Sequence, residues 1–356
     1  MLSIRVLFVV TGFGYGDTVR VKAILDELSK EVKNLSAMFL GYDHSYKYFN
    51  KKYPTFRISG YNFPDSGMEF KTNRFLIKNF YLPITWLKDY MKHKKTIEKF
   101  NPNIIISDFE PVANIIARRL KKRCISIFGY DPVLFEKYNK KNSILNVQAK
   151  YIEGLYNKSD LVIIPTFRKK DDYSNVKYVN PIVSTGPDDL QSKPELMKKL
   201  KLKKEPILVM LGGSNYGVGL AKRILKETVN FNEDFIFFGS KKSIAGFHFK
   251  FAKNFLEYLK ASKAVITLGG KLTLSECLVF KKPMLIFPIR NHVEQVLNAY
   301  SVRNVSMQGD FKKIKDSISI FLNNLESLNE KLKLLDVKPT GAKEAANIIL
   351  EEITRE

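Results

Sequence analysis

The sequence is poor in cysteine. Its 356 residues contain only Cys124 and Cys277, and each of them lies in an apolar segment. Two isolated thiols exclude a small disulfide-rich fold, and they lack the paired spacing of a zinc site. We interpret both as small buried hydrophobic residues of a protein that folds in a reducing cytoplasm.

Long apolar runs are also lacking. No run reaches the roughly 18 residues that are typical of a membrane-spanning helix. Residues 1–7 are mostly apolar, but glycine and aspartate follow too soon for a signal peptide, and we predict a first strand there. We therefore expect a cytoplasmic protein.

Acidic residues are scarce beside basic ones. The chain has 36 Asp and Glu against 59 Lys and Arg, which gives a formal net charge of +23. Such a charge attracts nucleic acids, anionic membranes or phosphorylated ligands. A nucleic-acid partner would rest on charge alone, because no zinc finger or aromatic RNA-binding strand motif is present, and we do not expect one.

Residues 70–100 mix bulky apolar residues with basic ones, and Pro83 is expected to divide them into two helices. An exposed surface of this composition would bind an anionic membrane interface. In the alternative, which we slightly favour, the bulky residues are ordinary core and the lysines form its wet face. The residues at issue are Phe75, Leu76, Phe80, Trp86, Leu87 and Met91.

The chain exceeds the length at which a single core usually stops growing, so we predict two domains. Residues 1–184 form the first domain, and the polar, lysine-rich residues 185–205 form a linker. Residues 206–340 form the second domain, with a strand at 246–251, and residues 341–356 form a final helix. Each domain opens with an apolar strand, a glycine turn and a helix, which is the unit that builds parallel α/β sheets.

The stretch at residues 264–299 contains this unit in its clearest form. An apolar strand meets Gly269 and Gly270, a helix follows from Thr273, and the next segment is another buried strand. Two glycines before a helix N-terminus are typical of an anion site, and a diphosphate is the obvious ligand. Thr273 and Glu276 also have the spacing of a capping box, so helix capping is an open alternative.

The ordered set of residues in this stretch resembles a known family. Gly-Gly-x-x-Thr-x-x-Glu at 269–276, a Lys-Pro strand and Glu-Gln-x-x-Asn-Ala at 294–299 are similar to the donor-binding domain of GT-B nucleotide-sugar glycosyltransferases. Family 28 is the most similar, which includes the glucosaminyltransferase of the lipid-linked peptidoglycan precursor and archaeal proteins like it. The resemblance implies two Rossmann-like α/β domains that face a central cleft, with the C-terminal helix crossing back to the first domain.

The same resemblance implies the function. We expect an inverting, metal-independent hexosyltransferase that moves a sugar from a UDP-sugar to a glycan or lipid-linked acceptor, without a tightly bound cofactor. An enzyme with such an acceptor is expected to be cytoplasmic and peripheral on the inner face of the membrane.

The resemblance also assigns the donor side. The diphosphate is expected at Gly270, Lys271, Leu272 and Thr273, and the ribose hydroxyls at Glu276. The sugar hydroxyls are assigned to Glu294, Gln295 and Asn298, with His292 beside them. The donor side is completed by Gly269 and by the glycine turn that opens the second domain, Gly212, Gly213 and Ser214.

The acceptor side is assigned to the loop after the first strand. Its sequence, Gly14-Tyr-Gly-Asp-Thr-Val-Arg20, resembles the Gly-x-Gly-His-x-x-Arg of the family, so the acceptor-side residues are Gly12, Gly14, Gly16 and Arg20. Asp17 stands where many relatives carry the histidine that acts as base. An aspartate before a helix is also a common N-cap, and backbone N–H bonds would then lower its pKa and weaken it as a base.

Asp108 ends another apolar strand, at 103–108. The resemblance places it where an aspartate pairs with the catalytic histidine, so we expect Asp108 to lie near Asp17. Two neighbouring carboxylates cannot both ionise without cost, and the pKa of one of them should rise.

Two alternatives share this fold and donor site. A non-hydrolysing UDP-sugar 2-epimerase would convert the donor without any acceptor. A non-catalytic nucleotide-sugar-binding subunit would bind UDP and transfer nothing, and the absence of the family's histidine makes this alternative relevant.

Overall fold

The computed structural model describes residues 3–63, 67–138, 142–168, 170–210, 212, 216–239 and 254–355. The chain divides into two compact units. The first consists of Met1–Pro64, Lys71–Ser184 and Thr340–Glu356, and the second of Asp65–Phe70 and Thr185–Pro339. The predicted strand at 246–251 and two predicted donor residues, Gly213 and Ser214, lie outside the described residues.

The strands of both units are parallel and short. Those of the first unit are β1 (Ile4–Val10), β2 (Leu35–Gly41), β3 (Thr55–Arg57), β4 (Ile104–Asp108), β5 (Cys124–Ile127), β6 (Leu161–Pro165) and β7 (Val176–Val179). Those of the second unit are β8 (Ile207–Met210), β9 (Phe235–Phe238), β10 (Ala264–Thr267), β11 (Met284–Ile286) and β12 (Ser306–Gln308).

Helices follow most of the strands in the described chain. They are α1 (Gly16–Glu31), α2 (Asp43–Phe49), α3 (Thr72–Asn79), α4 (Leu82–Phe100), α5 (Val112–Leu120), α6 (Pro132–Tyr138), α7 (Ser143–Tyr156), α8 (Lys193–Lys199), α9 (Tyr216–Thr228), α10 (Phe255–Ala261), α11 (Lys271–Val279), α12 (Val293–Ser301), α13 (Ile314–Asn323), α14 (Leu325–Lys333) and α15 (Gly341–Thr354). Among the described residues, no helix is both long and apolar enough to cross a bilayer.

The sheet of the first unit has the strand order β3-β2-β1-β4-β5-β6-β7. Residues 6–10 of β1 are fully buried, as expected for a continuous apolar strand covered on both faces. β1 pairs with β4 in a register that sets Val10 opposite Asp108. The loop after β1 and the end of β4 therefore meet at the carboxyl edge of the sheet, where ligand sites of such folds lie.

The last helix, α15, packs in the core of the first unit. Ala345, Ala346 and Ile349 are fully buried in the same cluster as Ile24 and Leu28 of α1. The two alanines let the helix backbones approach closely, and the aliphatic side chains fill the space between them.

The sheet of the second unit has the order β12-β11-β10-β8-β9, so β10 is its central strand. The polar residues 185–205 are attached to this unit: α8 buries Leu196, and the Lys260 ammonium donates to the carbonyls of Pro187 and Leu190 at 2.8 and 2.9 Å. Phe70 also belongs to this unit, since its N–H donates to the Arg290 carbonyl at 2.8 Å.

The segment at residues 70–100 forms α3 and α4, and the two helices separate next to Pro83 as predicted. Phe75 and Trp86 are buried, as the core interpretation required. That interpretation is wrong for four other residues: Leu76, Phe80, Leu87 and Met91 are exposed by 43, 79, 41 and 60%. The helices therefore bury one apolar face and leave a second one uncovered among the described residues.

Candidate active site

The loop between β1 and α1 runs along the carboxyl edge of the first sheet. Its first residue, Thr11, donates its N–H to the carbonyl of Asp108 at 3.1 Å. A Cβ added to Gly12 would lie 2.0 Å from the carbonyl oxygen of Tyr42, so any larger residue would push the loop away. The loop is thus held between the end of β4 and the residue that precedes α2.

Arg20 joins the two predicted catalytic carboxylates. Its guanidinium donates to both oxygens of Asp108, at 2.5 and 2.9 Å, and to Asp17 at 2.7 Å. Arg20 was assigned to the acceptor-side loop, but it lies in α1 and is buried. The guanidinium of Arg20 therefore forms ion pairs with the two carboxylates and is shielded from solvent.

Asp17 is not the N-cap of α1. The cap position is Tyr15, and no side chain caps the helix there. The capping alternative is therefore wrong, and so is the objection that capping would weaken this carboxylate as a base. The side chain of Asp17 is 26% exposed, whereas that of Asp108 is completely buried.

The burial of Asp108 changes its ionisation. Loss of water raises the pKa of Asp108 to about 7, with Arg20 lowering it and the charge of Asp17 raising it further. Because Arg20 stays protonated, the three side chains carry a net charge of −1 when both carboxyls are ionised and zero when Asp108 is protonated. Their charge therefore changes near neutral pH.

Glu110 is a third carboxyl of this cluster, and the sequence reasoning missed it. It is 1% exposed, and neither of its oxygens has a hydrogen-bond partner among the described residues. Burial raises the pKa of Glu110 to about 8; the nearby hydroxyls of Tyr42 and Thr11 lower it, and Asp17 and Asp108 raise it. Glu110 is thus mostly protonated at neutral pH.

The turn after β4 places Glu110 inside the unit. Phe109 has a φ of 56°, a left-handed backbone that is rare for a bulky residue. Ser107 fixes the turn, since its hydroxyl donates to the Glu110 carbonyl at 2.9 Å and accepts from the Glu110 N–H at 3.2 Å. The sequence offered one signal for this carboxyl: Glu110 follows two residues after Asp108, which ends the strand.

The glycine turn of the second unit opens the N-terminus of α11. Gly269 has a φ of 94°, and a Cβ there would lie 3.2 Å from Ile286 and 3.3 Å from the Gln295 carbonyl. Gly270 is the N-cap residue, and no atom of the described residues lies within 4 Å of a Cβ added to it. The described residues therefore leave room beside Gly270, at the positive dipole end of α11.

The predicted start of this helix at Thr273 is wrong, because α11 begins at Lys271. Thr273 is its third residue and cannot cap it, and no side chain forms a cap hydrogen bond there. The left-handed backbone of Gly269 explains why the helix begins earlier than predicted. It turns the chain so that α11 can begin at Lys271, two residues before Thr273. Leu272, Thr273 and Glu294 are partly exposed, whereas Lys271 is buried.

Three predicted sugar-side residues hold the turn and the loop before α12. The Asn298 amide donates to the Gly269 carbonyl at 3.2 Å, and Asn298 is 2% exposed. The Gln295 side-chain oxygen accepts from the Ile289 N–H at 3.1 Å. His292 is the N-cap of α12, and its Nδ1 accepts from the Gln295 N–H at 3.5 Å.

Two titratable groups of the second unit are neutral at pH 7. Burial raises the pKa of Glu276 to about 8, with no other cause acting on it. Burial lowers the pKa of His292 to about 4. Glu276 is therefore a buried carboxyl, 4% exposed, that stays mostly protonated at neutral pH. Of the turn after β8, Gly212 alone is described; it has a φ of 66° and is exposed.

A family model described as Glycosyl transferase family 1 matches residues 4–326. The chain is 27% identical over 234 residues to an uncharacterized glycosyltransferase of Methanopyrus kandleri, covering 62% of this chain and 67% of the relative. A Methanosarcina acetivorans uncharacterized glycosyltransferase is 24% identical over 230 residues, and the match spans 59% of each chain, so less than two thirds of that relative.

A longer match has a more specific name. The UDP-N-acetylglucosamine--N-acetylmuramyl-(pentapeptide) pyrophosphoryl-undecaprenol N-acetylglucosamine transferase of Christiangramia forsetii is 23% identical over 307 residues. The match covers 79% of this chain and 77% of that enzyme.

Solved glycosyltransferases share the fold over the whole chain. The Polygonum tinctorium UDP-glucosyltransferase that glucosylates indoxyl superposes with a TM-score of 0.68 at 11% identity, covering 100% of both chains. The calicheamicin glycosyltransferase CalG4 gives 0.66 at 12%, covering 100% of this chain and 99% of that one. MurG of Acinetobacter baumannii gives 0.62 at 12%, covering 98 and 99%. These likenesses confirm the predicted GT-B fold.

Proposed function

Since the chain belongs to glycosyl transferase family 1 and is a glycosyltransferase of the GT-B type, we propose that it transfers a sugar from a UDP-sugar to a lipid-linked or glycan acceptor. The names of the relatives support both substrates. The Christiangramia forsetii enzyme is named for a UDP-sugar donor and a pyrophosphoryl-undecaprenol acceptor, and the Polygonum tinctorium enzyme for a UDP-linked glucose.

The observation that carries the donor assignment is the open N-terminus of α11 behind Gly269 and Gly270. The diphosphate binds the first N–H groups of this helix, with the Thr273 hydroxyl and the Lys271 ammonium adding to them. The leaving diphosphate gains negative charge during transfer, and the helix dipole stabilises that charge without a tightly held metal ion.

The nucleoside and the sugar bind deeper in the second unit. Glu276, a buried carboxyl of α11, bonds the ribose hydroxyls. Glu294, Gln295 and Asn298 bond the sugar hydroxyls. Gln295 uses its amide nitrogen and Asn298 its amide oxygen, because the other atom of each amide bonds the backbone. His292 orients Gln295 through its backbone N–H.

The base is the carboxylate pair around Arg20. Asp17 is its exposed member and takes the proton of the acceptor hydroxyl as that oxygen attacks the anomeric carbon and the diphosphate leaves. Direct attack with one displacement inverts the configuration at that carbon. Asp108 and Arg20 orient Asp17, because the Arg20 guanidinium donates to both carboxylates.

The surface of the first unit supports the proposed location. The α3–α4 apolar face consists of Leu76, Ile77, Phe80, Ile84, Leu87 and Met91, all exposed. Arg74, Lys78, Lys88, Lys92 and Lys95 are exposed on the same two helices. Apolar side chains with cations around them fit an anionic bilayer, so the enzyme works in the cytoplasm, peripheral on the inner face of the membrane.

A two-step experiment tests the proposal. Thermal melting is measured with UDP, with UDP-sugars and with other nucleotides, because a ligand that binds only the folded state raises the melting temperature. The UDP-sugar that gives the largest shift is then incubated with lipid-linked and free glycan acceptors.

Each outcome has a definite meaning. A shift with UDP followed by formation of a glycoside of inverted configuration supports the proposal. Epimerisation of the donor sugar without an acceptor would make the protein an epimerase instead. A shift with another nucleotide and none with UDP would overturn the donor assignment.

A further inference from the structure

A short segment from the first half of the chain belongs to the second unit. Its described part, residues 67–70, lies beside the loop that follows β11, where Glu69 and Arg290 form a parallel bridge. The Phe70 N–H donates to the Arg290 carbonyl at 2.8 Å, and the Arg290 N–H donates to the Met68 carbonyl at 3.0 Å. The backbone of the segment therefore holds it to this loop.

The Glu69 side chain holds the next residue of the loop. Asn291 has a φ of 57°, a left-handed backbone that asparagine adopts more readily than most residues. Its amide donates to the Glu69 carboxylate at 2.9 Å. The Arg290 guanidinium is 3.7 Å from the same carboxylate, but its side chain is 65% exposed, so this ion pair contributes little. The hydrogen bond from Asn291 is therefore the stronger of these two contacts, and it fixes the turn.

Phe70 packs against the residue that follows this turn. Its ring is edge-on to the ring of His292, with the centroids 5.3 Å apart and the planes at 67°, and Phe70 itself is buried. The contact helps to keep water from the imidazole, which is neutral at pH 7 because burial lowers its pKa. Since Nδ1 of the neutral ring accepts from the Gln295 N–H, the ring hydrogen lies on Nε2. Phe70 thus supports the form of His292 that caps α12.

The same loop leads into the groups that are assigned to the donor sugar. His292 is the N-cap of α12, and the Gln295 side-chain oxygen accepts from the Ile289 N–H. The segment at 67–70 contacts residues 290–292, which lie between these two anchoring points. A displacement of the loop would therefore move Gln295 and the start of α12 with it.

We propose that Glu69 and Phe70 are positioning residues for the donor sugar, because they hold the loop at 289–292 so that the start of α12 can bind the sugar hydroxyls. This inference rests on the proposed use of a nucleotide-sugar donor. It adds two residues from the first half of the chain to a set of sugar-side residues that otherwise lie in α12 or cap it. The diphosphate and the ribose are assigned to α11, so Glu69 and Phe70 should affect the sugar and not UDP.

Calorimetry tests the inference by measuring the affinity of UDP, UDP-glucose and UDP-N-acetylglucosamine for the native protein and for each variant. The affinity for a UDP-sugar divided by that for UDP isolates the contribution of the sugar. For the UDP-sugar that the native protein binds more tightly, Glu69→Ala should lower this ratio about tenfold, the effect of one hydrogen bond to a charged group. Phe70→Leu, which keeps an apolar side chain, should lower it about threefold, the effect of one aromatic pair.

Two further variants separate positioning from stability. Glu69→Gln keeps an oxygen that can accept from Asn291, so it should show the native ratio although the charge is lost. Glu233→Ala removes the partner of Lys263 at 2.5 Å, on the residues that precede β9 and β10, and thus at the opposite edge of the same sheet. It should lower the melting temperature without changing the ratio. A cooperative melting transition shows that each variant is folded.

The outcomes are distinct. Lowered ratios for Glu69→Ala and Phe70→Leu, with native ratios for Glu69→Gln and Glu233→Ala, support the inference. Equal losses of affinity for UDP and for the UDP-sugar would overturn it, because the segment would then only stabilise the unit. Native ratios in all four variants, or a loss with Glu69→Gln as large as with Glu69→Ala, would overturn it as well. A native protein that does not bind UDP would instead reject the proposed donor, and this inference with it.

Discussion

Glu110 should make the first unit less stable as the pH rises. The folded protein holds a proton on this carboxyl up to about pH 8, whereas the unfolded chain releases it near the ordinary pKa of 4.5. Between these values the folded state binds more protons, so the free energy of unfolding falls with rising pH and levels off above pH 8. At 1.36 kcal/mol per pKa unit, the full effect of this one carboxyl is about 5 kcal/mol, which is an upper value for a single group.

Glu110→Gln keeps the shape of the side chain and cannot ionise. The variant should match the native protein within about 1 kcal/mol at pH 5, and it should be more stable by about 2 to 5 kcal/mol at pH 8.5. The free energy of unfolding in urea, followed by circular dichroism, provides the measurement at both pH values.

The matched control for this test is Glu31→Gln, on the exposed last residue of α1. It should show the same pH dependence as the native protein, including the part that comes from Asp108. A constant difference between Glu110→Gln and the native protein at the two pH values would refute the reasoning, because it would mean that Glu110 does not titrate in this window.

Three further predictions concern the site and the surface. Asp17→Asn and Asp108→Asn should each lower the transfer rate, measured by product formation, by about 10²-fold or more. The melting shift with UDP should not change, and near-native turnover would exclude the two residues as the base pair. Glu276→Ala should weaken UDP at least about tenfold by calorimetry, whereas unchanged affinity would remove the ribose contact. Replacing Ile77 and Phe80 together by Asp should abolish sedimentation with anionic vesicles, and unchanged sedimentation with anionic vesicles after the replacement would contradict the membrane role.

Much of the fold could be predicted because its signals are local. Continuous apolar runs predicted buried parallel strands, and strand-ending residues such as Asp108 fall at a shared sheet edge whatever the details of packing. Gly269 marked the turn before α11, because only glycine readily adopts the φ of 94° that this turn requires.

The rest depended on contacts between distant residues. Asp108 and Arg20 are 88 positions apart, and nothing in either segment indicates that the arginine points inward. Glu110 looks like any acidic turn residue until the burial of both oxygens is known. The capping-box pattern at Thr273 was a local signal as well, and it failed because the turn at Gly269 started the helix earlier.

The position of α15 has a consequence for how the protein is made. The ribosome releases β1 to β7 first, yet the core that they share with α1 lacks the buried face of Ala345, Ala346 and Ile349 until the second unit has also been synthesised. Apolar side chains of α1 such as Ile24 and Leu28 remain uncovered on that side during this time. Nascent chains that stop before Gly341 should therefore be the species most prone to aggregation or to chaperone capture, even though the second unit within them is complete.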